Sequence, residues 1–316
     1  MSKPLVLFVD DEENVLNSAK KQLLEDEIEV LTTTDPFCAL EILQKKNVTV
    51  IVVDNIMPLM KGIELLFKAR SVSPETVRIM LTGYVDVNSV MEAVNIGAVY
   101  KFIVKPWEQE ELKSAVLDGI YRYEMVHKLR DASEDQILEL AQIIELRDPY
   151  THGHCERVAE YALLLSDALS LDPGVRNEIK YGAWLHDCGK LGVPENILNK
   201  RDLLTFEEMR IVRNHPVWGA EVVRLAGLSE TVAQIVNYHH EKYDGSGYPV
   251  GLKGSSIPLE ARIVAIADIF DSLTSERPYR RKLSFHEAIQ ILLKEKGIVS
   301  DPEMVEFFIY LIEKSL

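Results

Sequence analysis

The chain has 316 residues, of which 47% are hydrophobic and 27% charged, and a formal net charge of −15 at pH 7. These are ordinary globular proportions with length enough for about two domains, which excludes a disordered or fibrous protein. The acidic balance opposes binding to a nucleic-acid polymer, which calls for clustered Lys and Arg, but leaves room for a small anionic ligand held by a few local cations.

The opening "MSKPLVLFVDDEENV" reaches acidic residues after a short apolar run, too soon for a signal peptide or a spanning helix. The expectation is a cytoplasmic protein without a membrane contact. "PLVLFVDD", "VTVIVVDN", "VRIMLTGY" and "VYKFIVKP" read as buried parallel strands, and "NVLNSAKKQLLE", "GIELLFKARS" and "VNSVMEAVNIG" carry helical spacing. This alternation predicts a doubly wound α/β domain over residues 1–123.

A charged stretch follows, "EQEELKSAVLDGIYRYEMVHKLRDASEDQ". Its near-heptad positions Leu112, Val116, Gly119, Tyr123 and Val126 are interrupted at Arg130 and Ser133 before resuming at Ile137, Leu140 and Ile144. Too short for a coiled coil, it is expected to be a helical linker over residues 124–136 on which two copies could pair as a homodimer. From residue 137 to 316 the pattern is helix after helix, as in "VAEYALLLSDALSL", "TVAQIVNYHHEKY" and "PLEARIVAIADIFDSL", with Gly and Pro between them, which predicts an all-α domain. Cys38, Cys155 and Cys188 lack the spacing of a disulfide framework and suit a reducing compartment.

In an open parallel sheet, functional groups gather at the carboxyl ends of the strands. Asp10 and Asp11 end the first predicted strand, Asp54 ends the next, Thr82 follows a third, and Lys105 comes after a fourth. Three carboxylates at one edge repel each other, and a hard divalent cation such as Mg²⁺ offsets that repulsion. Thr82 and Lys105 then offer a hydroxyl and an ammonium to a phosphoryl oxygen. "FVDDE", "VVDNIMP", "LTG" and "FIVKPW", in that order, resemble the receiver domain of two-component response regulators. The resemblance implies a five-stranded parallel sheet, with Asp54 accepting a phosphoryl group from a sensor histidine kinase. It also implies Mg²⁺ held by Asp10 and Asp11, a phosphate contact from Lys105, and a switch made by Thr82 and Phe102.

The helical region holds His154, His186, Asp187, His215, His239, His240 and Asp268. Inward-pointing ligands from several helices are how bundles build dinuclear sites. Imidazole with carboxylate suits Mn, Fe, Zn, Ni or Co better than Ca or Mg. Seven candidates exceed the needs of one tetrahedral ion; two ions sharing Asp187 would use them all and leave open positions suited to in-line phosphodiester hydrolysis. Lys190, three and four residues beyond Asp187 and His186, would share their face on a helix and stabilise charge developing on a phosphate.

"HDCGK" followed by "NHP", "HHEKYDGSGYP" and "ADIFDSLTSERPYR" resembles the HD-GYP family of cyclic di-GMP phosphodiesterases. The resemblance implies two divalent transition-metal ions, Fe or Mn. His154, His186, Asp187 and Asp268 would hold one, and Asp187, His215, His239 and His240 the other, with Asp187 bridging. Catalysis would rest on Asp187 and Lys190. Tyr248 and Pro249 would shape the substrate rim, with Gly245 and Gly247 permitting a tight turn, and Arg277 and Arg280 would bind ligand phosphate or guanine. Members with a third metal carry a glutamate four residues before the first ligand histidine, where this chain has Tyr150. That implies a two-metal site and bears on whether hydrolysis continues from pGpG to GMP.

Two other functions fit these residues: a catalytically silent cyclic di-GMP sensor acting on protein partners through the GYP surface, and a hydrolase of another cyclic dinucleotide. The remaining motif neighbours have plainer readings. His127, His152 and His286 are expected on the surface or on helix faces, and Cys155, Cys188, Trp184 and Trp218 in the core. Glu241 and Asp244 stand where partners of ligand histidines would stand, in a loop that would be polar in any case.

Overall fold

The computed structural model describes residues 3–23, 27–83, 99–147, 153–200, 202–276 and 281–315. The helix expected in "VNSVMEAVNIG" lies outside these described residues, as do Tyr150, His152, Arg277 and Arg280. Contacts divide the chain into two units, Met1–Lys128 and Leu129–Leu316.

In the first unit, β1 (Leu5–Val9), β2 (Glu29–Thr33), β3 (Val50–Asp54), β4 (Val77–Thr82) and β5 (Lys101–Val104) form one parallel sheet in the order β2-β1-β3-β4-β5. Helices α1 (Glu13–Gln22), α2 (Pro36–Lys45), α3 (Gly62–Val72) and α4 (Gln109–Arg130) accompany it. β1, β3 and β4 are buried along their whole length because helices cover both faces, and so they read as unbroken apolar runs. Val6, Phe8, Val52 and Ile79 pack with Leu112, Val116 and Ile120 of α4. The order changes direction between β1 and β3, the switch point where doubly wound sheets place their ligands. Val9 is in register with Val53, so Asp10 and Asp54 leave the sheet side by side.

The charged stretch forms two helices. α4 ends at Arg130, and α5 (Glu134–Glu145) restarts behind Ser133, whose N–H donates to the Gln136 side chain in a capping box. The interruption of the heptads at Arg130 and Ser133 therefore marks a helix end and a new N-cap.

The second unit continues with α6 (His154–Ala168), α7 (Pro173–Leu185), a 3-10 turn (Cys188–Gly192), α8 (Glu195–Leu198), α9 (Phe206–Val212), α10 (His215–Leu225), α11 (Glu230–Tyr238), α12 (Leu259–Thr274), α13 (Phe285–Glu295) and α14 (Pro302–Ser315). Its core is built on α6, α7, α12 and α14, with Tyr161 and Phe308 both set edge-on to Phe270 at 5.0 and 5.3 Å. Cys155, Cys188 and Trp218 are buried, Trp184 packs against the core, and His286 is exposed. In the first unit, His127 meets Glu75 at 3.1 Å on the surface.

Candidate functional site

At the carboxyl edge of the sheet, Lys105 Nζ lies 2.8 Å from Asp10 Oδ2 and 2.6 Å from Asp54 Oδ1. Each carboxylate spends its other oxygen on the turn that follows it: Asp10 accepts the Glu12 N–H at 2.9 Å and Asp54 the Ile56 N–H at 3.0 Å. Burial raises the Asp54 pKa, against the opposing pull of Lys105 and with some help from Asp10. Burial also works against a charge on Lys105, but its bonds to Asp10 and Asp54 raise its pKa all the same. Thr82 is buried at the end of β4, Phe102 is half-buried on β5, and Asp11 is exposed. Gly62 is needed at the start of α3, because a Cβ there would stand 2.1 Å from the Asp54 carbonyl oxygen.

In the second unit, one local device recurs three times. α7 ends at Leu185, α9 at Val212 and α11 at Tyr238, and His186, His215 and His239 follow within three residues. The last carbonyls of a helix have no partner inside it. His186 Nδ1 meets the Ala183 carbonyl at 2.7 Å, His215 Nδ1 the Val212 carbonyl at 2.8 Å, and His239 Nδ1 the Val236 carbonyl at 2.8 Å. A carbonyl only accepts, so each Nδ1 carries a proton, and in the neutral ring Nε2 is the atom left with a lone pair. Two of these Nε2 atoms face each other, those of His215 and His239 at 3.4 Å, and that of His186 faces His154 Nε2 at 3.3 Å.

Asp187 sits between the two groups. Its Oδ2 is 3.5 Å from His186 Nε2 and its Oδ1 is 3.3 Å from His215 Nε2. Ligand atoms of Asp187, His215, His239 and His240 all lie within 4.8 Å of one another, and so do those of His154, His186 and Asp187. Asp268, on α12, brings its Oδ1 to 3.3 Å from His154 Nε2. All seven predicted ligands are thus together around one shared carboxylate. Burial, reinforced by the neighbouring imidazoles, holds His240 down to about 3 and His239 well below its usual value. Burial opposes charge on Asp187 and Asp268 as well, yet Lys190 and the histidines around Asp187, and His154 and His186 around Asp268, keep both carboxyls well below the usual range. Imidazoles whose ring nitrogens face one another, beside ionised carboxylates, suit divalent transition-metal ions. The donor set fits such a group.

The helix expected to carry Lys190 is absent: α7 stops at Leu185, and Lys190 stands in the 3-10 turn with its Nζ 2.7 Å from Asp187 Oδ2. The chain tightens there because the turn must press against α10, and a Cβ on Gly189 would lie 1.8 Å from the His215 carbonyl oxygen. Tyr248 stacks on His240 with ring centroids 4.9 Å apart, and the Arg213 guanidinium lies 5.3 Å above the Tyr248 ring. Gly245 has φ +87 and makes a true turn, whereas Gly247 is required by close approach, its Cβ position being 2.2 Å from the Lys242 nitrogen.

Glu241 is no partner of the ligand histidines. Its buried carboxylate accepts the backbone N–H groups of Val250, Gly251 and Leu252 at 2.7–3.0 Å and so fixes the loop behind Tyr248. Asp244 likewise serves its own turn, accepting the Ser246 N–H at 2.8 Å. Sequence reasoning missed three supports. Asp271 Oδ2 holds His154 Nδ1 at 2.7 Å, Arg157 holds Asp271 Oδ1 at 2.6 Å, and buried Glu145 accepts the Gly153 and Cys155 N–H groups that open α6. Burial disfavours a charge on His154, but Asp268 and Asp271 overcome it and push the imidazole up to about 9.

Fold and site define a response regulator with a hydrolase as its output. A model of the response regulator receiver domain matches residues 6–117, and a model of the HD domain matches residues 139–304. A cyclic di-GMP phosphodiesterase of Thermotoga maritima is 32% identical over 334 residues, spanning 97% of this chain and 90% of its own length. The cyclic di-GMP phosphodiesterase response regulator RpfG of Xanthomonas campestris is 33% identical over 327 residues, spanning 95% of this chain and 86% of its own. A 3'3'-cGAMP-specific phosphodiesterase 3 of Vibrio cholerae is 38% identical over 167 residues, which are 53% of this chain and 36% of that protein. The chain belongs to the HD-domain family of metal-dependent hydrolases, in the form that carries a response regulator receiver. No helix among the described residues is long and apolar enough to cross a membrane.

Proposed function

We propose that the protein is a cytoplasmic response regulator whose phosphorylated receiver controls a dinuclear phosphodiesterase that opens cyclic di-GMP to pGpG. The observation that carries this reading is the convergence of five imidazoles and two carboxylates around Asp187. It is supported by two relatives that are named cyclic di-GMP phosphodiesterases and align over nearly their whole length. In this reading residues 1–123 are the regulator, 124–136 the connection and 137–316 the hydrolase.

His154, His186, Asp187 and Asp268 would hold one ion and Asp187, His215, His239 and His240 the other, Fe or Mn in each case. When bound, such ions lower the pKa of water towards neutrality and offset charge on phosphate. Asp187 presents one oxygen toward each set of ligands, Oδ2 to His186 and Oδ1 to His215, and so would be the residue the two ions share. Lys190, now paired with Asp187 at 2.7 Å, is placed to turn its ammonium to a phosphate oxygen as negative charge develops there. Water adds to one phosphorus, the P–O3' bond of that diester breaks, the departing oxygen takes a proton, and the ring opens. Tyr248, backed by His240 and Arg213, forms the rim against which a nucleobase rests. Arg277 and Arg280 add cations from outside the described residues, and Tyr150, also outside them, favours a two-metal site. In the receiver, Asp10 and Asp11 would hold Mg²⁺ while Asp54 takes a phosphoryl group from a sensor histidine kinase. Thr82 and Phe102 would report the change.

The test is chromatography of products after the Mn²⁺- or Fe²⁺-loaded protein meets cyclic di-GMP or 3'3'-cGAMP, beside Asp187→Ala. The expected result is pGpG from cyclic di-GMP with wild type and none with the variant. Two bound metals with tight cyclic di-GMP binding but no product, with and without a phosphoryl mimic on Asp54, would replace the enzyme by a sensor acting through protein partners at the GYP surface. Faster turnover of 3'3'-cGAMP would reassign the substrate.

A further inference from the structure

His154 is held differently from the other histidines of the centre. His186, His215 and His239 direct Nδ1 to backbone carbonyls, whereas His154 directs Nδ1 to the carboxylate of Asp271, which is 1% exposed. Asp268 and Asp271 lie one helical turn apart on α12, so both face the same side of that helix. They bracket one imidazole, with Asp268 Oδ1 3.3 Å from Nε2 and Asp271 Oδ2 2.7 Å from Nδ1. The Asp271 carboxylate is itself anchored: Arg157 Nε donates to Oδ1 at 2.6 Å, Arg157 Nη2 to Oδ2 at 3.1 Å, and the Ser275 hydroxyl to Oδ1 at 3.2 Å.

We propose that Asp271 is a positioning residue that makes the two metal positions unequal, acting through His154 to make the His154–His186–Asp187–Asp268 position the tighter one. The inference rests on the dinuclear reading above. A carboxylate behind a ligand histidine fixes its tautomer and ring plane and raises its basicity. Here it adds to an existing difference in charge. The His154 position has the shared Asp187 and its own Asp268, with Asp271 behind; the other has Asp187 and three imidazoles, two of them backed by neutral carbonyls. A divalent cation is therefore drawn first to the side of α12.

The experiment is titration of the metal-free full chain with Co²⁺ against a competing chelator, followed by the visible absorption of the bound ion. Wild type is expected to fill in two separate steps. Asp271→Asn keeps the shape and an acceptor for His154 but removes the charge, and should weaken the tighter step about tenfold to a hundredfold while the second stays within about twofold. Arg157→Gln, at a half-exposed side chain, should move the same step in the same direction, and decides the matter if Asp271→Asn does not fold. Unchanged steps in variants with wild-type circular dichroism, or movement of the weaker step alone, would overturn the proposal. A wild type that binds fewer than two Co²⁺ would overturn the dinuclear reading itself.

Discussion

Lys105 neutralises Asp54 directly, with 2.6 Å between Nζ and Oδ1, while holding Asp10 with the same ammonium. The sheet edge is thus pre-assembled, and burial holds the Asp54 pKa up against the pull of the cation beside it. A small phosphodonor with Mg²⁺ should phosphorylate the wild type, seen as an intact-mass increase, and leave Asp54→Asn unmodified. Equal uptake by the variant would mean that another residue is the acceptor.

Lys190 should matter to rate more than to binding of metal. Lys190→Met removes the ammonium while keeping most of the stem, and the expected outcome is a fall in kcat of about a hundredfold to a thousandfold. Metal content, read by elemental analysis, should stay at the wild-type level. Loss of both ions together with activity would make Lys190 a support for Asp187 alone.

Glu145 caps the helix that begins with His154. Glu145→Ala leaves the Gly153 and Cys155 N–H groups without their acceptor, which should cost about 1–3 kcal/mol of stability. The urea midpoint of the full chain should fall accordingly. Arg147 donates to the Leu191 carbonyl at 3.3 Å, so the end of α5 steadies the Lys190 turn as well.

Thiol chemistry offers a check on burial. Burial pushes the Cys155 thiol far above its usual pKa, and Glu145 adds to the shift, so thiolate is scarce at any working pH. Exposed Cys38 should react with a thiol reagent at once, while buried Cys155 and Cys188 should wait for denaturant. Raising the pH from 7 to 9 should leave Cys155 unlabelled. Rapid labelling of all three thiols in the native protein would contradict the buried placement of α6 and the Lys190 turn.

The centre of the sheet is legible because strands such as "VIVVD" are covered on both faces and leave a continuous apolar signature. β2, "EVLTT", carries no such signature: it lies at the sheet's edge, partly exposed, with two threonines and a glutamate in five residues. The metal ligands are legible by residue type and number. Their supports are not, since nothing in "DIFDSL" says that its second aspartate turns to a histidine more than a hundred residues away along the chain. Glu145 looks like any charge on an amphipathic helix, and Glu241 like any acidic loop residue. The most readable missed signal is positional: three histidines come within three residues of a helix end, where a ring N–H can take up a stranded carbonyl.

That recurrent device couples the stability of the helical unit to the occupancy of its centre. His215 and His239, the rings that take up the last carbonyls of α9 and α11, point their Nε2 atoms at each other 3.4 Å apart, so the metal-free chain holds two lone pairs face to face where these segments meet. A ligand present at a hundred times its dissociation constant stabilises the native state by about 2.7 kcal/mol. With the centre loaded as proposed, removing the metal withdraws that support, and the metal-free protein should be digested by an added protease faster than the loaded one.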